Sequence, residues 1–275
     1  MDTIEVAYRH SAGRLRIMAW QGSVNGKRSV HSHKFTIVLN FLLKGYVLVS
    51  STPVHRRRFV ILISGRGSNM QAIVKALQQS PMDTSAEVVA VIANRDDAAG
   101  LRWAQQQGLA TAVVPHRAYN NREAFDQALG DCIASFAPDY VLLAGFMRIL
   151  TPGFVQRFRG QIINIHPSLL PAFPGLHTHQ QAIQTGVQWH GCTVHVVTPL
   201  LDNGPIIAQG VVPVIEGDTP EDLAQRVLTV EHAMYGRVAG WLAQGKVTID
   251  SDDKVQVDGV PVRAFYADGS QVNDK

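Results

Sequence analysis

The sequence predicts an α/β protein with a doubly wound, mostly parallel but mixed sheet that carries helices on both faces. Three observations predict this fold class. Apolar runs of strand length recur along the chain, segments with apolar residues at helical spacing separate them, and the first run ends in the glycine turn "GRGSN". Strands that alternate with helices in this way build a largely parallel sheet whose two faces are covered.

The folded body begins at Phe59, where "FVILIS" is a continuous apolar run typical of a strand buried on both faces. After the glycine turn, the spacing of Met70, Ile73, Val74 and Leu77 predicts a helix. Further strands are predicted at 87–94, in "ATAVV", at 139–145 and at 160–166, and further helices in "AAGLRWAQQQG" and from about Arg122 to Phe136.

The alternation of strands and helices changes after Pro174. "HTHQQAIQTG" predicts a short helix closed by Gly186, and "GCTVHVVT" and "PIIAQGVVPV" predict two strands close enough in sequence to pair antiparallel. A long helix is predicted from about Pro220 to Leu242, with Thr219 as its N-cap. The tail from Lys246 predicts a small hairpin with "VDG" as its turn.

The N-terminal segment of the chain is basic, whereas the rest is acidic. Residues 1–58 hold 10 Lys or Arg and 2 acidic residues, whereas residues 59–275 hold 15 and 20, so the formal charge of +3 conceals an acidic body. We expect a basic, poorly ordered N-terminal extension at 1–57, one domain at 58–250 and a C-terminal hairpin and tail at 251–275. The body shows no basic stripe with interleaved aromatic residues, which argues against a nucleic-acid partner.

The apolar segment at 35–51 is interrupted by polar residues and is too short and too polar for a transmembrane helix. A short targeting segment is the alternative interpretation. The two cysteines, Cys132 and Cys192, stand in no ligand spacing, which argues against a disulfide framework and a structural zinc site. His177 and His179 have no third ligand nearby, and no GxSxG motif occurs, so chemistry without a metal or a covalent intermediate is favoured.

The glycine turn is a candidate phosphate site. It lies at the carboxyl end of a predicted strand, where Gly67, Ser68 and Asn69 would offer N–H groups at a helix N-terminus. The motif matches neither a Walker loop nor a dinucleotide fingerprint. A monophosphate site competes here with the simpler interpretation of a tight turn capped by Ser68 or Asn69.

Asn164 and His166 are candidate catalytic residues. They stand two apart in "IINIHPSLLP", at the end of a predicted strand, so both side chains point to the same face. An amide can donate a hydrogen bond to a developing oxyanion, and an imidazole can carry a proton near neutral pH. Asp202 in "PLLDNGP" is either ordinary turn chemistry or a carboxylate that orients His166.

Five segments, "ILISGRGSNMQAI", "VLLAGFMRIL", "INIHPSLLPAFPGLHTHQQAI", "HGCTVHVVTPLLDNGPIIAQ" and "RVLTVEHAMYG", resemble the phosphoribosylglycinamide formyltransferase family. The resemblance runs in order from about Phe59 to Ile249. It implies the formyltransferase fold, a catalytic domain at 58–250, and transfer of a formyl group from 10-formyltetrahydrofolate to the amine of glycinamide ribonucleotide in purine biosynthesis.

The resemblance also implies roles for individual residues. The catalytic residues would be Asn164, His166 and Asp202, and those that bind the ribonucleotide would be Gly67, Ser68, Asn69 and Glu231. The folate-binding residues would be Arg122, Met147, Arg148, Ile149, Leu150, Asn164, Thr198 and Asp202. The chain departs from the family pattern at Arg66, where Asn is frequent, and in the less acidic "TPLLD" with its Pro199.

We therefore expect a cytoplasmic enzyme that is a monomer or a weak homodimer. Its substrates would be small molecules, with 10-formyltetrahydrofolate as cosubstrate, no tightly bound cofactor, no metal, and neither nucleic acid nor membrane as partner. One alternative is formyltetrahydrofolate deformylase, which would carry a regulatory domain ahead of the catalytic one. Methionyl-tRNA formyltransferase would add a basic C-terminal domain, and a non-catalytic nucleotide-binding module would not need all of Asn164, His166 and Asp202.

Overall fold

The chain divides into two units, Met1–Val54 and His55–Lys275. A computed structural model describes residues 4–9, 15–20, 56–79, 86–250 and 252–272. In the first unit, strands β1 (Ile4–Arg9) and β2 (Leu15–Trp20) pair antiparallel. The apolar segment 35–51 lies outside the described residues, and the expected poor order of 1–57 stays a prediction.

The second unit is built on an eight-stranded mixed sheet. Its strands are β3 (Arg57–Ile63), β4 (Ala86–Ala93), β5 (Thr111–Val113), β6 (Tyr140–Leu143), β7 (Ile162–His166), β8 (Trp189–Val196), β9 (Ile206–Pro213) and β12 (Ala264–Phe265). The order is β12-β9-β8-β7-β6-β3-β4-β5, and every pair is parallel except the two that involve β8. The predicted mostly parallel mixed sheet is confirmed, including the antiparallel pairing of β8 with β9.

Six α-helices connect these strands. They are α1 (Ser68–Gln79), α2 (Ala99–Gln106), α3 (Arg122–Ser135), α4 (Pro152–Arg157), α5 (Thr178–Thr185) and α6 (Pro220–Ala243), with a 3-10 turn at His116–Ala118. α4 was not predicted because it is short, but Thr151 caps it and Pro152 occupies its first turn. None of the helices in the described residues is both long enough and apolar enough to cross a bilayer.

Alternating side chains of β3 show how the sheet is covered on both faces. Phe59, Ile61 and Ile63 face a core shared with α1 and α6, whereas Val60 and Leu62 face a second core shared with α3 and α4. All five side chains are fully buried. Successive residues of a strand point to opposite faces, so a run that is apolar at every position needs a cover on each side.

The C-terminal tail differs from its prediction in two ways. Strands β10 (Val247–Ile249) and β11 (Val255–Val257) form the expected hairpin, but its turn lies between them, and "VDG" begins at Val257, the last residue of β11. The Asp250 carboxylate makes this turn by accepting hydrogen bonds from the N–H groups of Asp252 and Lys254, each at 2.9 Å. The tail then returns to the main sheet, where β12 pairs parallel with β9.

Helix α6 is held at its N-terminus and again at Tyr235. Thr219 caps it as predicted, in a capping box with Asp222, and Pro220 begins it. Further along, the fully buried Tyr235 hydroxyl lies 3.2 Å from the Leu143 carbonyl of β6 and 3.0 Å from the Ile163 carbonyl of β7. α6 is thereby tied to the ends of two central strands.

Replacing Tyr235 by Phe tests this link. Removing one buried hydrogen bond should lower the free energy of unfolding by about 1 kcal/mol, measured by urea denaturation. Tyr140→Phe is the matched control, since no hydrogen bond of its half-buried hydroxyl is present among the described residues, and it should change stability by less than about 0.5 kcal/mol. Equal effects of the two changes would contradict the proposed link.

The ion pair of Asp218 with Arg226 makes the entry to α6 sensitive to pH. Arg226 donates two hydrogen bonds to the Asp218 carboxylate, at 2.7 and 2.8 Å, and these lower the pKa of Asp218 to about 2. A carboxyl pKa that is lower in the folded state stabilises the protein above the ordinary carboxyl pKa, and the stabilisation is lost as the pH falls towards 2.

Asp218→Asn should therefore destabilise the protein by about 1 to 2 kcal/mol at pH 7, as expected for a hydrogen bond to a charged group. The difference from the unmodified protein should shrink between pH 4 and pH 3 in urea denaturation. The exposed Asp252, replaced by Asn in the same way, serves as the control and should have little effect. A difference for Asp218→Asn that stays constant from pH 7 to pH 3 would refute the assignment.

Candidate active site

A cavity of about 410 Å³ lies at the carboxyl ends of the parallel strands. It is lined by residues 64–69 after β3, by Asn94 and Arg95 after β4, by His116 and Arg117 after β5, and by four residues of the segment 144–148 after β6. Ligands of doubly wound sheets bind at this edge.

The glycine turn forms the floor of the cavity in a conformation that suits an anion. Gly67 has a φ of +69°, and a Cβ added there would lie 2.9 Å from the Met70 side chain. Helix α1 begins at Ser68 itself, so Ser68 and Asn69 are helical residues and not its N-cap. The first N–H groups of a helix have no partner within the helix, which makes this turn suitable for a phosphate.

A buried hydrogen bond connects this turn to α6. The amide Nδ2 of Asn69 donates to Oε2 of Glu231 at 2.7 Å, and each residue is only 7% exposed. Burial raises the pKa of Glu231, and the hydrogen bond from Asn69 opposes the rise. Asn69 lines the cavity, so this hydrogen bond places the Glu231 carboxylate next to the cavity wall.

His166 lies between two oxygen acceptors. Its Nδ1 is 3.5 Å from Oδ2 of Asp202, and its Nε2 is 3.0 Å from the Phe173 carbonyl. A carbonyl can only accept, so Nε2 carries a proton, and a ring protonated on both nitrogens would donate to both oxygens. The structure thus brings together His166 and Asp202, which are 36 residues apart in the sequence.

Asp202 also joins two loops. Its Oδ2 accepts a hydrogen bond from the Gly175 N–H at 2.8 Å, and its backbone has a φ of +48°. Thr198, in the same loop, donates its hydroxyl to the Leu200 carbonyl at 3.2 Å. Oδ2 of Asp202 is therefore shared between the Gly175 N–H and the ring of His166.

Asn164 is oriented by a residue that the sequence interpretation missed. Its Nδ2 lies 3.2 Å from Nε2 of His195, whose Nδ1 lies 3.0 Å from the Val196 carbonyl. The carbonyl requires the proton on Nδ1, so Nε2 accepts from Asn164, and burial lowers the pKa of His195 and favours this neutral form. Asn164 and His195 are directly paired across β7 and β8, a register that spacing along the chain does not reveal.

Two further histidines, His179 and His190, form a pair near His166. Nε2 of His190 is 3.2 Å from Nδ1 of His179, and burial, with a smaller contribution from His179, lowers the pKa of His190 to about 4. His177, at the residue before α5, makes no capping hydrogen bond with its side chain. Among the described residues, no group of three His, Cys, Asp or Glu side chains is placed to hold a metal ion.

The residues predicted to bind folate are partly gathered at the cavity. Met147 and Arg148 line it, and Ile149 is 57% exposed beside them. Leu150 is half-buried against the second core, and Arg122 is an exposed residue in the first turn of α3 that does not line the cavity.

The catalytic candidates do not line the cavity but border it. Asn164 of β7 is aligned with Leu143 of β6, and the next residue, Ala144, belongs to the cavity wall. The structure therefore places β6 between the strand that carries Asn164 and His166 and the strand that ends in the glycine turn. A substrate held by its phosphate at the turn can extend towards Asn164 and His166.

Comparison with known proteins identifies the family. A model of the formyl transferase family matches residues 57–239. Phosphoribosylglycinamide formyltransferase of Escherichia coli K12 is 47% identical over 211 residues, which cover 76% of this chain and 98% of that protein. The human trifunctional purine biosynthetic protein adenosine-3 is 43% identical over 200 residues, covering 73% of this chain and 20% of that one.

A solved structure agrees with these relatives. Phosphoribosylglycinamide formyltransferase of Coxiella burnetii, in complex with CHES, matches with a TM-score of 0.71 and 42% identity, covering 77% of this chain and all of that one. The resemblance read from the five sequence segments is thereby confirmed. On the family match and on identity across nearly the whole of a bacterial relative, the chain belongs to the formyl transferase family.

Proposed function

We propose that the protein transfers the formyl group of 10-formyltetrahydrofolate to the amine of glycinamide ribonucleotide, giving the N-formyl product and tetrahydrofolate in purine biosynthesis. The observation that carries the proposal is the buried Asn69–Glu231 hydrogen bond beside the glycine turn, at the same edge of the sheet as His166 and Asp202, with β6 between the two strands concerned. It supports a substrate that has both a phosphate and groups able to donate hydrogen bonds. The names of the relatives agree with this substrate.

The residues have distinct parts in the proposed reaction. The phosphate of the ribonucleotide binds at the N-terminus of α1, and Glu231 accepts hydrogen bonds from the same substrate. The substrate nitrogen attacks the formyl carbon, and the new C–N bond forms as the bond from that carbon to the folate nitrogen breaks. The amine loses one proton in this exchange, and the departing folate nitrogen gains one.

Asn164 and His166 stabilise the tetrahedral oxyanion. One N–H of the Asn164 amide is held by His195, which leaves the other free to donate to the oxyanion. His166 donates an N–H and moves the proton, while Asp202 holds the charge and the orientation of the ring. Since Nε2 of His166 contacts the Phe173 carbonyl in this structure, we expect bound substrate to replace that contact.

Other parts of the assignment rest on the family resemblance. The family membership supports small-molecule substrates and 10-formyltetrahydrofolate as cosubstrate. We propose in addition that no cofactor is tightly bound, that the enzyme is a cytoplasmic monomer or weak homodimer, and that 58–250 is its catalytic domain. We further propose that Arg122 and Thr198 contact the folate.

One assay tests the proposed reaction against its alternatives. Tetrahydrofolate release from 10-formyltetrahydrofolate is followed with and without glycinamide ribonucleotide, and we expect release only when the ribonucleotide is present. Release that does not depend on the ribonucleotide would identify a deformylase. The absence of release in both conditions would favour a non-catalytic binding module.

Asn164→Ala and His166→Ala should each lower kcat by about 10²- to 10³-fold, the usual cost of removing one oxyanion donor. The free energy of unfolding should change much less than the rate, so both are measured for each purified variant. His177→Asn is the control, because this exposed histidine has a left-handed backbone that Asn tolerates and lies close in sequence. Near-normal turnover of either alanine variant would remove the proposed role of that residue.

Glu231→Gln should weaken ribonucleotide binding without lowering the stability of the fold. The glutamine keeps an oxygen for the Asn69 amide but removes a buried charge, so stability at pH 7 should stay equal or increase. When the pKa of a carboxyl group is higher in the folded state, the fold loses stability as the pH rises towards that pKa. The stability that Glu231→Gln gains over the unmodified protein should therefore grow from pH 4 to pH 7.

In the same variant, the KM for the ribonucleotide should rise about tenfold or more, because hydrogen bonds to a charged acceptor are lost. The exposed Glu221, replaced by Gln, is the matched control on the same helix. An unchanged KM for Glu231→Gln would exclude this residue from ribonucleotide binding.

A further inference from the structure

A row of paired residues runs from the strand that carries His166 towards the edge of the sheet. His166 of β7 is paired with Thr193 of β8, and Thr193 is paired with Gln209 of β9. The side chains of directly paired residues lie on the same face of a sheet. His166, Thr193 and Gln209 therefore share one face, although Gln209 is two strands away from the catalytic strand.

Residues 167–175 form the exit loop of β7, and side chains of this row hold its centre. The Thr193 hydroxyl donates to the Ser168 carbonyl at 2.7 Å and accepts from the Leu170 N–H at 3.1 Å. Nε2 of Gln209 donates to the Leu170 carbonyl at 2.9 Å and to the Thr193 hydroxyl at 3.1 Å. Thr193 and Ser168 are fully buried and Leu170 is 4% exposed, so these polar groups rely on one another for partners.

These contacts use the whole hydrogen-bonding capacity of the groups involved. The amide nitrogen of Gln209 has two protons, and the Thr193 hydroxyl has one proton and two acceptor sites. Each of them meets a partner in the contacts with Ser168, Leu170 and each other. Three of the nine residues of the exit loop are prolines, which have no N–H to donate, so fewer backbone hydrogen bonds can hold it. Side-chain donors such as Gln209 therefore matter more for its position.

The far end of the exit loop returns to the catalytic group. The Phe173 carbonyl lies 3.0 Å from Nε2 of His166, and the Gly175 N–H donates to Oδ2 of Asp202 at 2.8 Å. Leu170 stands in the chain between His166 and Phe173, four residues after one and three before the other. A shift of the loop at Leu170 would therefore move the groups that contact both the His166 ring and its carboxylate partner.

The backbone of Gln209 is itself held by the C-terminal tail. Its N–H donates to the Arg263 carbonyl at 3.0 Å, and Ala264 of β12 is its partner in the sheet. Nη1 of Arg263 lies 3.1 Å from the carbonyl oxygens of both Ile206 and Ile207, to which it donates. Gln209 thus projects from a strand that is paired on both sides, by β8 and β12, which suits a residue that holds another segment in place.

We propose that Gln209 is a positioning residue: through Leu170 it holds the exit loop so that Phe173 and Gly175 keep His166 and Asp202 in their reactive arrangement. This inference rests on the proposed function and adds to it a residue that need not contact either substrate. The glycine turn and Glu231, which are assigned to the ribonucleotide, lie on other elements. Gln209 should therefore act on the rate of the reaction and not on ribonucleotide binding.

Gln209→Met tests the proposal, because methionine has a similar shape and no N–H to donate. We expect kcat to fall about tenfold or more while the KM for the ribonucleotide changes less than about twofold, since small displacements of a catalytic group are costly in rate. Rates are measured where circular dichroism shows the variant fully folded. Gln105→Met is the matched control, because the exposed Gln105 also donates from Nε2 to a threonine hydroxyl, that of Thr111 in β5, and it should keep kcat.

A second measurement follows His166 without any substrate. In NMR spectra of protein with isotope-labelled histidine, the Nε2 proton of His166 is identified by its absence in His166→Ala. It should exchange slowly with water in the unmodified protein, because the Phe173 carbonyl accepts it. We expect Gln209→Met to speed this exchange about fivefold or more, because local opening becomes easier, and Gln105→Met to leave it unchanged.

Several outcomes would overturn the proposal. Normal kcat in Gln209→Met would do so, and so would a loss of kcat with unchanged exchange of the His166 proton. A ribonucleotide KM that rises as much as kcat falls would assign Gln209 to binding instead. If the unmodified enzyme releases no tetrahydrofolate in the presence of ribonucleotide, the proposed function itself fails, whereas the exchange measurement still tests whether Gln209 holds His166.

Discussion

A single buried hydrogen bond, from Asn69 to Glu231, joins the first turn of α1 to the last long helix of the domain. The two residues are far apart in the sequence, so the bond forms only when the sheet and α6 have docked. Four residues after Glu231, Tyr235 reaches the Leu143 and Ile163 carbonyls. One helix thus sets the position of the glycine turn relative to the strand that carries Asn164 and His166, and the proposed chemistry depends on that spacing.

Two buried histidines near the candidate active site act through hydrogen bonds to neighbouring side chains. His190 and His195 lose solvent and have a lowered pKa, so they remain neutral acceptors or donors that orient their neighbours. His166 is the buried histidine whose ring lies beside a carboxylate among the described residues, with its Nδ1 3.5 Å from Oδ2 of Asp202. In the proposed reaction, proton transfer is therefore assigned to His166, and His190 and His195 orient neighbouring groups.

The sequence was most informative where burial is continuous and the elements are long. The uninterrupted apolar run of β3 and the helical spacing after Gly67 identified their elements because both faces of the sheet are covered. The pairing of Asn164 with His195 and the 3.5 Å approach of Asp202 to His166 depend on strand register and loop folding, which periodicity does not encode. Glu231 came from the family resemblance alone, since a single acidic residue in a long amphipathic helix carries no chemical signal of its own. β12 has two residues, too few to show a period.

The two-residue strand β12 has a consequence for how the protein is made. It covers the outer edge of β9, to which it pairs at Gly210 through Phe265, roughly 55 residues later in the chain. During synthesis on the ribosome, the edge of β9 at Gln209 and Gly210 stays unpaired until those residues have emerged. An open strand edge is a template for pairing with another chain. By pairing with β9, β12 therefore removes part of an open strand edge on which another chain could pair.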